Sequence, residues 1–342
     1  MSPRNLSVKI KIPKVLKNKL NNKKIGQIYK KFAKSISINQ NFIVAVSGGP
    51  DSLALAFLSK IYSIQNKLKV KYYTIDHKLR AESTIEAKKV KKILNKFKIK
   101  TEILYWQGKK PTNNIQSAAR IKRFEFLLSK CKKLGIKYIL LAHHREDLFE
   151  NFFIRILRGS GLKGLISFSK ETKLQNVKIL RPLLDQKKED LVFISKKVFD
   201  FYVKDSSNDD EKFQRVRIRK LLKGLKNDGL DQKKFIKTIE NLKGSNDVVN
   251  YYVKKNLENN SFFSHTKKHL ILNDKFFKQP HEIVFRSLSD SLNFVSKNYY
   301  SARGKKIDKI IKDIQKSSFS KSTLGSCLIE KVNQTVIISK EY

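Results

Sequence analysis

The sequence predicts an α/β fold: a doubly wound parallel sheet followed by a smaller, mainly helical C-terminal domain. Three observations predict it. Between residues 42 and 180, short continuous apolar runs alternate with segments of helical period, the pattern of a parallel sheet covered on both faces. A Ser/Gly loop, Ser47-Gly48-Gly49-Pro50-Asp51-Ser52, lies where the first run ends and an apolar helix opens. Beyond about residue 225 the alternation stops and longer helical periods take over.

The elements follow in order. Residues 1–40 read as a basic N-terminal arm and a short helix at 24–35. Phe42-Ile43-Val44-Ala45-Val46 is a buried parallel strand, and the apolar run from Leu53 begins the helix after the loop. Residues 70–75 form a second strand, with Asp76-His77-Lys78-Leu79-Arg80 at its carboxyl end. Val90, Ile93, Leu94 and Phe97 recur at helical spacing within 84–97, and 101–106 is a third strand. A long helix at 114–134 is stopped by Gly135. A fourth strand at 138–142 leads into a helix at about 146–157, and 177–180 is a fifth strand. Helices are expected at 231–260, 280–296 and 303–316, then two short strands around Asn333-Gln334. The expected domains are 1–40, a catalytic domain at 41–225, and 226–342, with the last boundary in the glycine-flanked stretch 224–229.

Composition narrows the function. The chain has 342 residues, 40% of them hydrophobic, so it can bury a full core. Its 74 Lys and Arg against 30 Asp and Glu leave a formal charge of +44, which favours a polyanion, nucleic acid first. Lysine, isoleucine and asparagine are abundant throughout, a bias that nucleotide composition also produces, so charge alone does not establish the partner. Cys131 and Cys327 stand far apart without a CxxC pair, which argues against a zinc ribbon or a cysteine-held cluster. Cys131 reads as a core residue. No apolar run reaches the ~18 residues a membrane span needs, and a cytoplasmic protein with no membrane partner is expected.

The loop at 47–52 carries the first chemistry. Its glycines let a phosphate approach the backbone, and first-turn N–H groups point at an anion along the helix dipole. Pro50 lacks a donor where none is needed, and Ser47 and Ser52 add hydroxyls. Asp51 beside a phosphate is repulsive unless a cation such as Mg2+ intervenes. The alternative is an ordinary strand–helix joint with Asp51 or Ser52 as a cap. No GxxxxGK[ST] pattern is present.

Three further stretches fall at strand ends or just after them. The stretch 76–80 is either a ligand loop or solvated charge. In 142–151, Asp147 and Glu150 share a helical face, where they can hold Mg2+, bind an amine or accept its proton. Their alternatives are an acidic turn complementing the helix dipole, or zinc held by His143, His144 and Asp147. Arg155 and Arg158, ahead of the glycine-rich run to Gly164, suit backbone phosphates; as helix-end charges they would only satisfy the dipole. Arg215, Arg217 and Arg219 follow the acidic loop 205–211 as a second basic cluster.

The conjunction of these stretches resembles the tRNA(Ile)-lysidine synthetase family of N-type ATP pyrophosphatases. The matching segments are AVSGGPDSLAL at 45–55, DHKLR at 76–80, NIQSAARIKRFEFL at 114–127, AHHREDLFEN at 142–151, RILRGSGLKGL at 155–165, RPLLD at 181–185 and DSSNDDEKFQRVRIR at 205–219. The resemblance implies a PP-loop, adenine-nucleotide α-hydrolase-like domain. It implies ligation of L-lysine to C2 of the wobble cytidine of a CAU-anticodon tRNA(Ile), through an adenylated intermediate. By the same resemblance ATP is bound by Ser47, Gly48, Gly49, Pro50, Asp51 and Ser52, with Asp76, His77, Arg120 and Ala142 nearby. Asp51 is the Mg2+ residue, and Asp51, Asp147 and Glu150 are catalytic. Asp147 and Glu150 meet lysine, and either can be the base. Arg155, Arg158, Arg215, Arg217 and Arg219 meet tRNA; a homodimer is compatible. Three features depart from the family: Val216 stands where Asn is usual, no Pro follows Arg219, and Phe124 replaces Tyr. The C-terminal region also reads as shorter than in large members. The rivals are a tRNA 2-thiolation enzyme, an amide-forming ATP pyrophosphatase, and a non-catalytic RNA-binding protein on the same fold.

Overall fold

A computed structural model describes residues 12–108, 111–113, 115–204, 210–297 and 302–341. The start of the basic arm, Asn114 and most of the acidic loop at 205–211 lie outside the described residues. The chain divides into two units between Leu230 and Asp231.

The first unit runs α1 (Lys14–Leu20), α2 (Lys23–Ser35), β1 (Phe42–Ala45), α3 (Pro50–Gln65), β2 (Val70–Asp76), α4 (Ser83–Lys96), β3 (Thr101–Tyr105), α5 (Ile115–Leu134), β4 (Tyr138–Leu140), α6 (Arg145–Leu157), α7 (Leu162–Leu165), β5 (Glu171–Leu174), β6 (Val177–Leu180), α8 (Lys188–Phe199) and α9 (Gln214–Asn227). Its six strands lie in the order β3-β2-β1-β4-β6-β5. All neighbours pair in parallel except the edge strand β5, which pairs antiparallel with β6. The short antiparallel edge and the helices α1, α7, α8 and α9 were not legible in the periodicity; α9 runs through most of the stretch 224–229 where the boundary was expected.

Alternate residues of the central strand serve opposite faces. Phe42 and Val44 join the core beneath α2, α3 and α8, whereas Ile43 joins the core beneath α5. Tyr72 and Tyr73 divide the same way. That two-sided burial explains the unbroken apolar runs. It also explains why α3 has lost its polar face: Leu53 to Leu58 are all fully buried, and α3 packs against both the sheet and α8. Strand order reverses between β1 and β4. The crevice outside their carboxyl ends is therefore where an open α/β sheet takes its ligand.

The second unit comprises α10 (Gln232–Asn260), β7 (Ser261–Ser264), β8 (His269–Leu272), α11 (Asp274–Phe277), α12 (His281–Ser296), α13 (Gly304–Ile314), β9 (Lys321–Thr323), β10 (Cys327–Val332) and β11 (Thr335–Lys340). The expected terminal strands are β10 and β11. They belong to an antiparallel sheet in the order β7-β8-β11-β10-β9, so the unit holds more strand than its sequence suggests. Strands of three or four residues are too short to establish a period of two. Leu272, Phe276, Leu288, Ile307, Ile329 and Ile338 form its core. No described helix is long and apolar enough to cross a membrane.

Candidate active site

A cavity of about 400 Å3 opens at the carboxyl ends of β1, β2 and β4. Three walls enclose it. The loop after β1 contributes Ser47, Gly49, Asp51 and Ser52; the segment after β2 contributes Asp76, His77, Leu79 and Arg80; Ala142, His143, Asp147 and Arg123 close the third side.

The loop after β1 is pinned from inside. Ser52 Oγ accepts from the N–H groups of Ser47 at 3.1 Å and Gly48 at 3.0 Å, and donates to Gly49 O at 2.9 Å. The hydroxyl thus shapes the turn before any ligand arrives. Gly48 has φ +91°, and a Cβ there would stand 2.6 Å from Val90 Cγ2 and 3.0 Å from Val203 Cγ2. Its carbonyl accepts from Val203 N at 3.0 Å. Backbone conformation and packing therefore both demand glycine. Pro50 opens α3, and Gly49 is its cap.

Asp51 fits a cation. Its Oδ1 is buried and has no hydrogen-bond partner among the described residues, while Oδ2 lies 3.6 Å from His144 Nε2. Burial raises its carboxyl pKa even though His144 opposes the shift. An orphaned buried oxygen beside a phosphate loop suits Mg2+, which takes one or two carboxylates together with substrate phosphates. Among the described residues no group of three or more His, Cys, Asp or Glu can hold a metal. The zinc alternative with His143, His144 and Asp147 is therefore not assembled.

Asp76 is committed inside the protein. Its Oδ1 accepts from Lys78 N at 2.9 Å and Ser83 Oγ at 2.8 Å, and its Oδ2 from Thr84 Oγ1 at 2.6 Å. Burial works to raise this carboxyl, but the hydrogen bonds outweigh it and hold the group below the usual range. Asp76 thus shapes the wall on which His77, its ring edge-on to Trp106, is presented. Of the arginines on α5, Arg123 lines the cavity. Arg120 is exposed, with its guanidinium 5.4 Å from the Phe124 ring centroid.

The two adjacent histidines differ. His143 lines the cavity, its ring edge-on to Phe168 at 5.1 Å and its Nδ1 buried without a partner among the described residues. Burial pushes its pKa down to about 3, so the imidazole is neutral. His144 is buried among acids: Nδ1 lies 3.0 Å from Glu146 Oε2, and Nε2 lies 3.6 Å from Asp51 and 3.5 Å from Asp147. Burial lowers its pKa, but those carboxylates prevail and raise it.

Asp147 and Glu150, one helical turn apart, have different surroundings. Asp147 lines the cavity, and its Oδ2 accepts from His144 N at 3.0 Å. Burial opposes ionisation, yet His144, His143, that backbone N–H and Arg215 hold the carboxyl below its ordinary pKa. Glu150 instead accepts from Arg219, Nε at 2.6 Å and Nη2 at 3.4 Å. Helix α9 packs on α6, so Arg219, one helical turn beyond Arg215, meets the carboxylate one turn beyond Asp147.

Residues 18–225 match the PP-loop domain family. The chain is 33% identical over 320 residues to a tRNA(Ile)-lysidine synthase of Orientia tsutsugamushi (strain Boryong), covering 89% of this chain and 70% of that protein. It is 32% identical over 307 residues to a tRNA(Ile)-lysidine synthase of Wolbachia pipientis wMel, covering 89% and 71%. The chain belongs to the tRNA(Ile)-lysidine synthase family. Among solved structures, a U34-tRNA thiolase, NcsA, of Methanococcus maripaludis superposes with a TM-score of 0.56 at 16% identity, over 64% of this chain and 78% of that one. That likeness shows the fold alone.

Within this lysidine synthase family member, the basic positions have different surroundings. Arg217 is exposed, and its Nη1 donates to the carbonyls of Glu211 at 2.7 Å and Lys212 at 3.1 Å. Arg158 is exposed and reaches Gln214 Oε1 at 3.4 Å. Arg155 and Arg215 are half-buried, and the charge of Arg215 helps hold Asp147 ionised. Val216, where the family usually has Asn, is buried in α9. The apolar replacement therefore packs and leaves no amide to satisfy. Sequence reading missed Arg123 and Thr74 as lining residues. It met His143 and His144 only as metal ligands. Its place near the carboxyl end of the strand expected at 70–75 was the one available signal for Thr74.

Proposed function

We propose that this chain ligates L-lysine to C2 of the wobble cytidine in a CAU-anticodon tRNA(Ile), consuming ATP and releasing AMP and pyrophosphate. Family membership supports the reaction. The observation that carries the residue roles is the position of Asp147 in the same cavity as the loop 47–52. The cytidine C2 oxygen attacks the α-phosphate of ATP, and pyrophosphate leaves into the backbone donors of the loop. The adenylated oxygen then departs with AMP as the ε-amine of lysine attacks C2. Mg2+ would be held by Asp51 and the ATP phosphates, and when bound it supplies charge neutralisation on those phosphates.

The amine must arrive neutral, and with a pKa of about 10.4 it is mostly protonated in solution. An ionised Asp147 attracts the ammonium and accepts its proton. Glu150, tied to Arg219, is a positioning residue that holds α9 against α6 and so keeps Arg215 beside Asp147. Arg123 and Arg215 provide positive charge where the RNA strand must approach.

Mass spectrometry of the anticodon nucleosides after incubation with ATP, lysine and the tRNA tests the reaction, with lysidine expected. Rapid-quench analysis of Asp147→Asn tests the role: adenylated tRNA should accumulate and the lysine KM should rise at least tenfold. If no adenylated tRNA forms at any lysine concentration, Asp147 serves ATP activation and its assignment to the amine is wrong.

A further inference from the structure

Helix α10 has one buried and one exposed face. Ile239, Asn246, Val253, Asn256 and Asn260 are buried along one side, where Asn246 meets Arg286 and Asn256 meets Phe276 and Ser287. On the opposite side, Val248, Tyr251 and Tyr252 are 58%, 54% and 53% exposed, and with Lys255 they follow the i, i+3, i+4, i+7 spacing of one helical stripe. Burial on the far side explains why α10 is a helix. It does not explain two large rings left in water on the near side.

Those rings have a specific arrangement. Tyr251 and Tyr252 stand edge to face, with centroids 5.5 Å apart at 81°. Lys255 Nζ lies 4.9 Å from the centroid of Tyr251. A cation and two π faces are thus presented together on a rigid element. Helix α10 carries six lysines against three acids, in a chain of formal charge +44. An unpaired nucleotide combines a flat apolar face with an adjacent phosphate, and this stripe offers a complement to both. Paired bases expose no such face.

We infer that the exposed stripe of α10 is a docking surface for unpaired RNA nucleotides, with Tyr251 and Tyr252 stacking on bases and Lys255 meeting a phosphate. Identifying that RNA as part of the tRNA substrate rests on the function proposed above. On this inference the stripe contributes to tRNA binding and not to the chemical step.

The test uses the full chain, with a single-stranded oligoadenylate, a fully paired RNA duplex and the tRNA(Ile) transcript as probes. Tyr251→Ala with Tyr252→Ala should weaken oligoadenylate binding by about fivefold to a hundredfold for each stack lost, raise the KM for tRNA, and leave kcat and duplex binding unchanged. Tyr251→Phe with Tyr252→Phe keeps the rings and should retain binding. Lys255→Gln should reduce the salt slope for the single strand by about 0.7. Wild-type affinity in the double alanine variant overturns the inference. So does a loss of self-association in that variant with RNA binding intact, which would make the stripe a chain–chain interface. If wild-type protein makes no lysidine yet binds oligoadenylate through these tyrosines, the catalytic reading fails and the stripe stands. If lysidine forms and the alanine variant keeps its tRNA KM, the stripe fails and the catalytic reading stands.

Discussion

Substituting Arg219 separates two roles for the basic cluster on α9. Its partner Glu150 has a side chain only 3% exposed, whereas the Arg219 side chain is 33% exposed. The pair is held by a 2.6 Å contact from Nε and a second at 3.4 Å from Nη2. Arg219→Ala would leave a buried carboxylate without its cation. Removing one partner of a fully buried pair costs about 3–5 kcal/mol; solvent already screens the arginine side, which reduces the expected loss to about 2–3 kcal/mol. For a unit of this size each kcal/mol lowers Tm by about 2–4 °C, so a fall of roughly 4–12 °C is expected. Adding Glu150→Gln should recover most of it, because the carboxylate stranded by the loss of Arg219 is then gone. Melting curves of the two single variants and the double variant supply the cycle. If Arg219→Ala melts within about a degree of wild type while the slope of tRNA affinity against salt drops by about 0.9, Arg219 is a phosphate contact and the pairing argument fails.

Two further outcomes follow from the cavity walls. Gly48→Ala should cost more than about 1 kcal/mol from its left-handed backbone alone, and the 2.6 Å clash with Val90 should displace the loop and weaken ATP at least tenfold; calorimetric ATP affinity within twofold of wild type would contradict this. His143 should make the protein acid-labile: its native pKa of about 3 lies below the ordinary 6.5, so between those values the unfolded chain binds a proton that the native protein refuses. Stability then falls as pH drops below about 6.5, by up to ~1.4 kcal/mol per pH unit. His144, with its pKa raised, contributes in the opposite sense: its stabilisation is full below 6.5 and is lost as pH rises through its native pKa. Urea midpoints from pH 7 to pH 4 should flatten in His143→Asn; an unchanged slope would refute the assignment.

The parallel sheet was legible because its causes are local. Two-sided burial writes unbroken apolar runs such as 42–46, and Gly48 and Pro50 mark a strand-to-helix turn that few other residues allow. The chemistry of that loop follows from residue types in one short stretch, as does the membership of Asp51 and Asp147 in a shared site once strand ends are aligned. The partners of those residues were not legible, because they come from segments distant along the chain. Glu150 and Asp147 are equivalent by spacing, one helical turn apart on α6. What distinguishes them is Arg219, 69 positions later, brought to Glu150 by α9 packing on α6. Arg120 and Arg123 are likewise both basic residues of α5, and only the direction of each side chain puts Arg123 in the cavity wall. His143 and His144 are neighbours in sequence, yet one is neutral beside Phe168 and the other sits among three carboxylates. By itself the sequence determined the fold, the phosphate loop and the class of chemistry, since these depend on periodicity and backbone freedom. The tertiary structure alone decided which carboxylate lines the cavity and which pairs with Arg219, because contacts and desolvation are set by whatever packs against a side chain.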